Sequence, residues 1–279
     1  MKSSRIAMLA LASIFLLGSC DAILGFNLFE GMVQDGVVRN IQEAETADDY
    51  LAESDADNFI EALEEAGKVE EAVAALEDVY DPDGDPDTPP PGDTAGAQEA
   101  AAVAAEILIY TTPAGVVVDN IIEAIAGDPA ALDVEDPAAL IGAIIPPEIS
   151  GDPIAFEETI LGFLDAWEAY AALGASITDG SLATDEVQAG DLIIAAAIGA
   201  ALDQIMTEYY PYDGVVITEE DAQAALAADL FALFDGNTLN DPDYSLMADP
   251  TTTFLADGSP LANILLAAGF DIDALLGGS

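Results

Sequence analysis

From Val69 to Ser279 the chain contains no lysine, arginine or histidine. Over the full sequence four basic residues face 54 acidic ones, a formal charge of −50. A fold made from such a stretch has no Glu–Lys pairs to dress its helices and no cationic side chain to cap a helix C-terminus. Self-repulsion opposes compaction, so apolar burial has to hold the structure together.

High charge combined with low hydrophobicity keeps a chain disordered. Here apolar residues make up 52% of the sequence and mean hydropathy is +0.35. That supply of alanine, leucine, isoleucine and valine is enough for a core behind an acidic surface, and it predicts a folded domain. The charge also excludes partners. Nucleic acid, anionic lipid headgroups and phosphate-bearing cofactors need cations to neutralise them, and the chain beyond residue 68 has none. Carboxylates without basic neighbours recruit counterions, which suits a saline, alkaline or calcium-containing exterior. An acidic proteome with no special tuning of this protein explains the same composition, and both readings stand.

Helical signals dominate the pattern. Thr46 with Asp49 and Ser54 with Asp57 fit capping pairs. Phe59, Ile60, Leu63, Val69, Val73 and Leu76 then recur at three- and four-residue steps, an amphipathic helix or a helical hairpin with Gly67 at its middle. The run Asp81-Pro82-Asp83-Gly84-Asp85-Pro86-Asp87-Thr88-Pro89-Pro90-Pro91-Gly92 breaks helix, because proline removes donors and glycine and aspartate favour turns. Helix is expected over 97–110, and again to 126 after Thr112-Pro113. Further helices are expected over 153–173, 184–209, 218–234 and 260–268, with a capping Thr218-Glu219-Glu220-Asp221 opening the fifth. Two copies of Asp-Pro-Ala-Ala-Leu, at 128–132 and 136–140, are too short to set a repeat. The apolar run Leu192 to Leu202 has the length of a buried core helix and is short of a bilayer span. Strand evidence is confined to Gly214-Val215-Val216-Ile217. The expectation is an all-α protein, a helical bundle or irregular helical array following a cleaved signal peptide. Its parts are a signal at 1–19, an N-terminal helical segment at 20–80, an acidic linker at 81–95 and a helical domain at 96–279.

The first twenty residues place Lys2 and Arg5 before an apolar run from Ile6 to Leu17, followed by Leu17-Gly18-Ser19-Cys20. That order of charged, apolar and small residues is a secretory signal, and the apolar run is too short to span a membrane. With its terminal cysteine the segment resembles the precursors of bacterial lipoproteins. The resemblance implies a diacylglycerol on the Cys20 thiol, cleavage before it, and a mature chain anchored in the cell envelope, facing periplasm or exterior. Asp21 resembles the residue that retains such proteins in the inner membrane of enteric bacteria, a rule that varies between groups, so the choice of membrane stays open. Cys20 is the only cysteine. No disulfide, thiolate metal site or cysteine nucleophile is therefore available within the chain.

The helix–glycine–helix around Phe59, Leu63, Gly67, Val69, Ala72 and Leu76 resembles one tetratricopeptide repeat over about 56–84, departing from it at Ile60 and Pro82. A generic helical hairpin accounts for the same pattern. Asp81, Asp83, Asp85 and Asp87 alternate around Gly84 and resemble the aspartate-rich calcium loops of extracellular proteins. Pro86 and Gly92 stand where an EF-hand loop has glycine and glutamate, which favours a solvated acidic linker over a calcium site.

Catalysis is limited by what is missing. Without histidine or nearby lysine, the acids and bases left are carboxylates and hydroxyls. Glu157, Glu158, Asp165 and Glu168 lie at helical spacing near Trp167 and Tyr170, the minimum for a carboxylate-only glycosidase. Yet Phe163, Trp167 and Tyr170 share one helical stripe, which makes Trp167 a core anchor. Tyr209, Tyr210 and Tyr212 flank Pro211 as a candidate binding cluster, with capping of a helix end as the structural reading. The reading that fits best is a lipid-anchored, non-catalytic envelope protein with a binding or assembly role. A helical-repeat accessory lipoprotein offering a groove to a peptide or transport partner is the first alternative, and a carboxylate-only hydrolase the second. No cofactor is expected beyond the covalent lipid on Cys20 and the calcium raised by the aspartate run.

Overall fold

The computed structural model describes residues 34–82, 94–126, 144–177, 189–210, 218–234 and 259–267. They form α1 (Gln34–Glu43), α2 (Ala47–Leu51), α3 (Phe59–Ala66), α4 (Val69–Tyr80), α5 (Thr94–Tyr110), α6 (Ala114–Ala126), α7 (Pro147–Ser150), α8 (Pro153–Ser176), α9 (Ala189–Tyr209), α10 (Glu219–Phe234) and α11 (Pro260–Ala267). Among the described residues there is no strand, so the architecture is an all-α array. Gly214 to Ile217 and both Asp-Pro-Ala-Ala-Leu copies lie outside them.

α8 is the hub. Its 24 residues, ~36 Å at the usual rise, pack on α5, α9, α10 and α11, and also on α4, α6 and α7. A helix surrounded in this way buries most of its surface, and Phe156, Ile160, Phe163, Leu164, Ala166, Ala169, Tyr170 and Leu173 are all buried. Asp152 caps its start by accepting from the Ile154 N–H at 2.9 Å, and Pro153 occupies the first turn, where its missing donor costs nothing. Small residues set the spacing of the neighbours. A Cβ added to Gly199 of α9 would stand 2.7 Å from the Phe163 carbonyl oxygen and 2.8 Å from Trp167 Cβ. One added to Gly174 would stand 2.5 Å from Pro260 Cα at the start of α11.

The helix ends show how a stretch without cations, from Val69 onward, closes its C-termini. The last carbonyls of α8 are met by neutral groups: the Ser176 hydroxyl donates to Leu173 O at 2.6 Å, the Asn263 amide to Gly174 O at 2.9 Å, and the Gln98 amide to Ser176 O at 3.3 Å. At the end of α5 the Thr111 and Thr112 hydroxyls donate to Ile107 O at 2.6 Å and Leu108 O at 3.1 Å. The Asn120 amide of α6 reaches Ile144 O at 3.0 Å. These bonds satisfy carbonyls that a helix leaves open, without any basic residue in a last turn.

Two capping boxes are reciprocal. Thr46 and Asp49 open α2, and Thr218 and Asp221 open α10, each hydroxyl accepting from the third backbone N–H and each carboxylate accepting from the threonine N–H. The expected pair at Ser54 and Asp57 does not form. Residues 52–58 run as successive turns, with Ala56 N–H bonded to Glu53 O and Phe59 N–H to Ala56 O. Ser54 instead donates to Leu51 O at 2.9 Å and finishes α2, so α3 starts without a side-chain cap.

α3 ends at Gly67 in the left-handed conformation, φ 66°. The Gly67 N–H meets Glu64 O and the Lys68 N–H meets Leu63 O, the two bonds of a Schellman closure. α3 packs mainly on α1, and α4 mainly on α5. One apolar cluster runs from Val37 of α1 to Leu265 of α11. Among the described residues no single helix is long and apolar enough to cross a membrane; α5 with α6 passes that test only as a pair bent by 95°.

Candidate functional site

Carboxylates from four helices gather where α8 meets α4, α9 and α10. Asp165 and Glu168, three residues apart, stand on one side of α8. The charges bearing on Glu168 come from Glu219 in the first turn of α10, Asp165, Glu77 of α4 and Asp203 of α9. Each helix brings its acid for a local reason. Glu219 belongs to the acidic first turn that suits the positive end of α10. Asp203 lies one turn beyond Gly199, which packs closely on α8, and Glu77 sits a turn before the end of α4.

Packing gives these groups their electrostatics. Loss of hydration is the largest influence on Glu168, followed by the four like charges, and together they push its carboxyl up to about 7. Asp165 is pushed up to about 6 by desolvation first and then by Glu219. Both residues nonetheless lie exposed on the surface of α8, in contact with solvent. Tyr80 at the end of α4 is buried, and its phenol is held well above the ordinary value by desolvation and then by Glu77, Glu168 and Asp81. Neither described cation is among the groups acting on Glu168. Lys68 is held by Glu71 at 2.6 Å and by Ala44 O at 3.3 Å.

Such a cluster can hold protons near neutrality and exchange them with solvent. As a glycosidase pair, Asp165 and Glu168 are badly placed. Both project from one helix within a single turn, whereas carboxyls that act on a glycosidic bond stand on opposite sides of it. Glu157 and Glu158 lie in the early turns of α8, ~15 Å along the axis from Glu168, and do not join the cluster. Trp167 is half-buried and packed on the core, with Phe163 and Tyr170 buried on the same stripe, the anchoring role expected of it.

The remaining sequence candidates divide between described and other residues. Asp81 caps α4, its N–H donating to Glu77 O at 2.8 Å, while Asp83, Asp85 and Asp87 lie outside the described residues. Among the described residues no group of three or more acids could hold a metal ion. Cys20 and Tyr212 also lie outside them, and Tyr209 closes α9. Tyr210 is half-buried and packed on the core, and its hydroxyl donates to Asp229 of α10. It ties the end of α9 to α10 through that side-chain bond. Sequence reasoning had no signal for Glu77, Asp203 or Glu219 as partners of Glu168. With 54 acids in the chain, only the packing of four helices selects them.

No protein-family model matches this chain, and neither the curated proteins nor the solved structures give a match to it.

Proposed function

We propose that this is a lipid-anchored cell-envelope protein, tethered through Cys20, whose acidic helical domain serves binding or assembly without catalysis. The observation that carries the reading is the order Lys2, Arg5, Ile6 to Leu17 and Leu17-Gly18-Ser19-Cys20, which matches the three regions of a lipoprotein signal. The domain that follows fits a tethered role. Its surface is almost purely anionic, so it stands off from anionic headgroups and depends on the acyl chain for its hold on the membrane. A non-catalytic role is supported by the placement of the two perturbed carboxyls on one turn of one helix.

Metabolic labelling with a lipid precursor tests the anchor. The full chain incorporates label and partitions into the detergent phase, and Cys20→Ala does neither. Label retained in Cys20→Ala refutes the anchor. The binding role is tested by cross-linking in envelope preparations of cells carrying either form. A partner captured by the anchored protein and missed by the untethered one supports assembly at the membrane.

A further inference from the structure

We propose that α1–α3 form a flap hinged at Gly67 and fastened by Lys68, whose ammonium straps the end of α1 to the first turn of α4. The inference rests on the packing of residues 34–80 and is independent of the anchor at Cys20.

Lys68 is the only lysine beyond residue 2, and local chemistry gives a lysine no purpose at its position. It is the N-cap of α4, where serine, threonine, aspartate or asparagine is favoured, and its side chain makes no cap bond. The end of α3 favours its charge and the start of α4 opposes it, so the two helix dipoles leave it near balance. Its ammonium instead meets both Glu71 oxygens, at 2.6 and 2.7 Å, and donates at 3.3 Å to Ala44 O, 24 residues earlier in the chain. The helix ends of α5 and α8 close on neutral groups, whereas the end of α1 is held by a cation. A residue that breaks a local rule to make a distant bond marks a junction the fold has to hold deliberately.

Packing shows why this junction needs a strap. α1 and α3 pack mainly on each other, with Val37, Ile41, Phe59 and Leu63 buried in the pair, and the Asn40 amide donates to Glu53 at 2.7 Å to close the unit on itself. Its seat on the rest of the domain falls mainly to α2, five residues long, which lies on α4 and α5 and buries Ala47 and Tyr50. The Tyr50 hydroxyl approaches Ala44 O at 3.5 Å, so the oxygen that Lys68 holds belongs to that seat. The chain passes from α3 to α4 through Gly67, the one glycine with positive φ among the described residues. No atom lies within 4 Å of the place a Cβ would take there, which leaves the turn room to swing. A unit with its own apolar seam, joined by one short helix, one turn and one ionic strap, opens more readily than the helices packed around α8.

Native-state hydrogen exchange on the full chain, read by mass spectrometry, tests the flap. The expected result is that α1, α2 and α3 exchange through one shared opening, faster than α5 and α8, with the boundary of that opening at Gly67. Lys68→Asn raises the shared rate about fivefold, the worth of a charge-assisted bond at a partly exposed site. The same variant slows exchange at the start of α4, because asparagine caps a helix and lysine does not. Glu71→Gln also raises the shared rate, but it loosens the start of α4, where an acid suits the dipole. The two variants therefore act alike on the flap and oppositely on α4. Arg39→Gln, the other cation and exposed on α1, leaves the shared rate in place. Exchange of α1–α3 only together with α5 and α8 overturns the proposal, as does an opening that runs on through α4. Faster exchange confined to α3 in Lys68→Asn shows a lost dipole contact and no strap, and an equal rise in Arg39→Gln shows charge alone; each overturns it too. Should Lys68→Asn fail to fold, Glu71→Gln decides by the same readout.

Discussion

Gly174→Ala separates two opposite expectations for a glycine inside a helix. By helix propensity alone alanine is better there by about 1 kcal/mol. The structure predicts the reverse sign. A Cβ at 174 would stand 2.5 Å from Pro260 Cα and 2.6 Å from its carbonyl carbon, so α11 has to retreat by about 1 Å to restore ordinary contact. Forcing a methyl into a packed contact costs about 1–3 kcal/mol. The retreat also strains the bond from the Asn263 amide to Gly174 O, now 2.9 Å, worth about 1 kcal/mol. Set against the propensity gain, the variant loses about 1–3 kcal/mol, a sizeable share of the roughly 5–15 kcal/mol that holds a domain together. Urea unfolding followed by far-ultraviolet circular dichroism measures it. The expected result is a lower midpoint at an unchanged slope; a shallower slope indicates α11 peeling away before the rest. Asn263→Ala alone costs about 1 kcal/mol, and in the double variant that cost shrinks because the added methyl on α8 has already displaced the amide. A Gly174→Ala protein as stable as the parent, or more stable, refutes the close approach of α8 and α11.

Gly67→Ala meets no atom within 4 Å, so its whole cost is the left-handed backbone at φ 66°, about 1–2 kcal/mol by urea unfolding. Thr218→Ala removes the hydroxyl that accepts from Asp221 N–H at 3.1 Å and costs about 1 kcal/mol, with Thr218→Ser recovering most of it. Because the formal charge is −50, the thermal midpoint rises as sodium chloride replaces a low-salt buffer, and a midpoint indifferent to salt contradicts self-repulsion as a force on this fold. Glu168→Gln resists urea better than the parent at pH 8 and no better at pH 5, since only at pH 8 does the parent carry the repelling charge.

Helix positions were legible because local chemistry marks them. Pro153 behind Asp152, Thr218 with Asp221, and Gly67 between two apolar runs each settle a terminus within their own few residues, and the helices lie close to the predicted spans. Ser54 and Asp57 have the same hydroxyl-to-carboxylate spacing as the working caps, but the turns of 52–58 leave no helix for them to open. The carboxylate joint could not be read, because it depends on where helices far apart in sequence meet. Glu77, Glu168, Asp203 and Glu219 have the same local surroundings as dozens of other acids, and only tertiary packing sets them apart. By propensity alone Gly162, Gly174 and Gly199 weaken a helix, yet each lies where a neighbouring side chain or backbone comes too close for a Cβ.

The lack of cations links these observations. A protein with lysine and arginine can end a helix on a basic side chain, neutralise a crowded acid and tie helices together by ion pairs. This chain substitutes for the first with serine, threonine, asparagine and glutamine, which close the ends of α5 and α8 and carry no charge to titrate. For the third it relies on alanine and glycine, which let helices approach until dispersion and apolar burial suffice. The second has no neutral substitute. Where close packing brings acids together, the remaining choices are a proton, a solvent counterion or separation of the helices. The acids whose carboxyls are pushed up therefore lie near a close glycine contact of α9 with α8, where tight packing leaves little room to separate them.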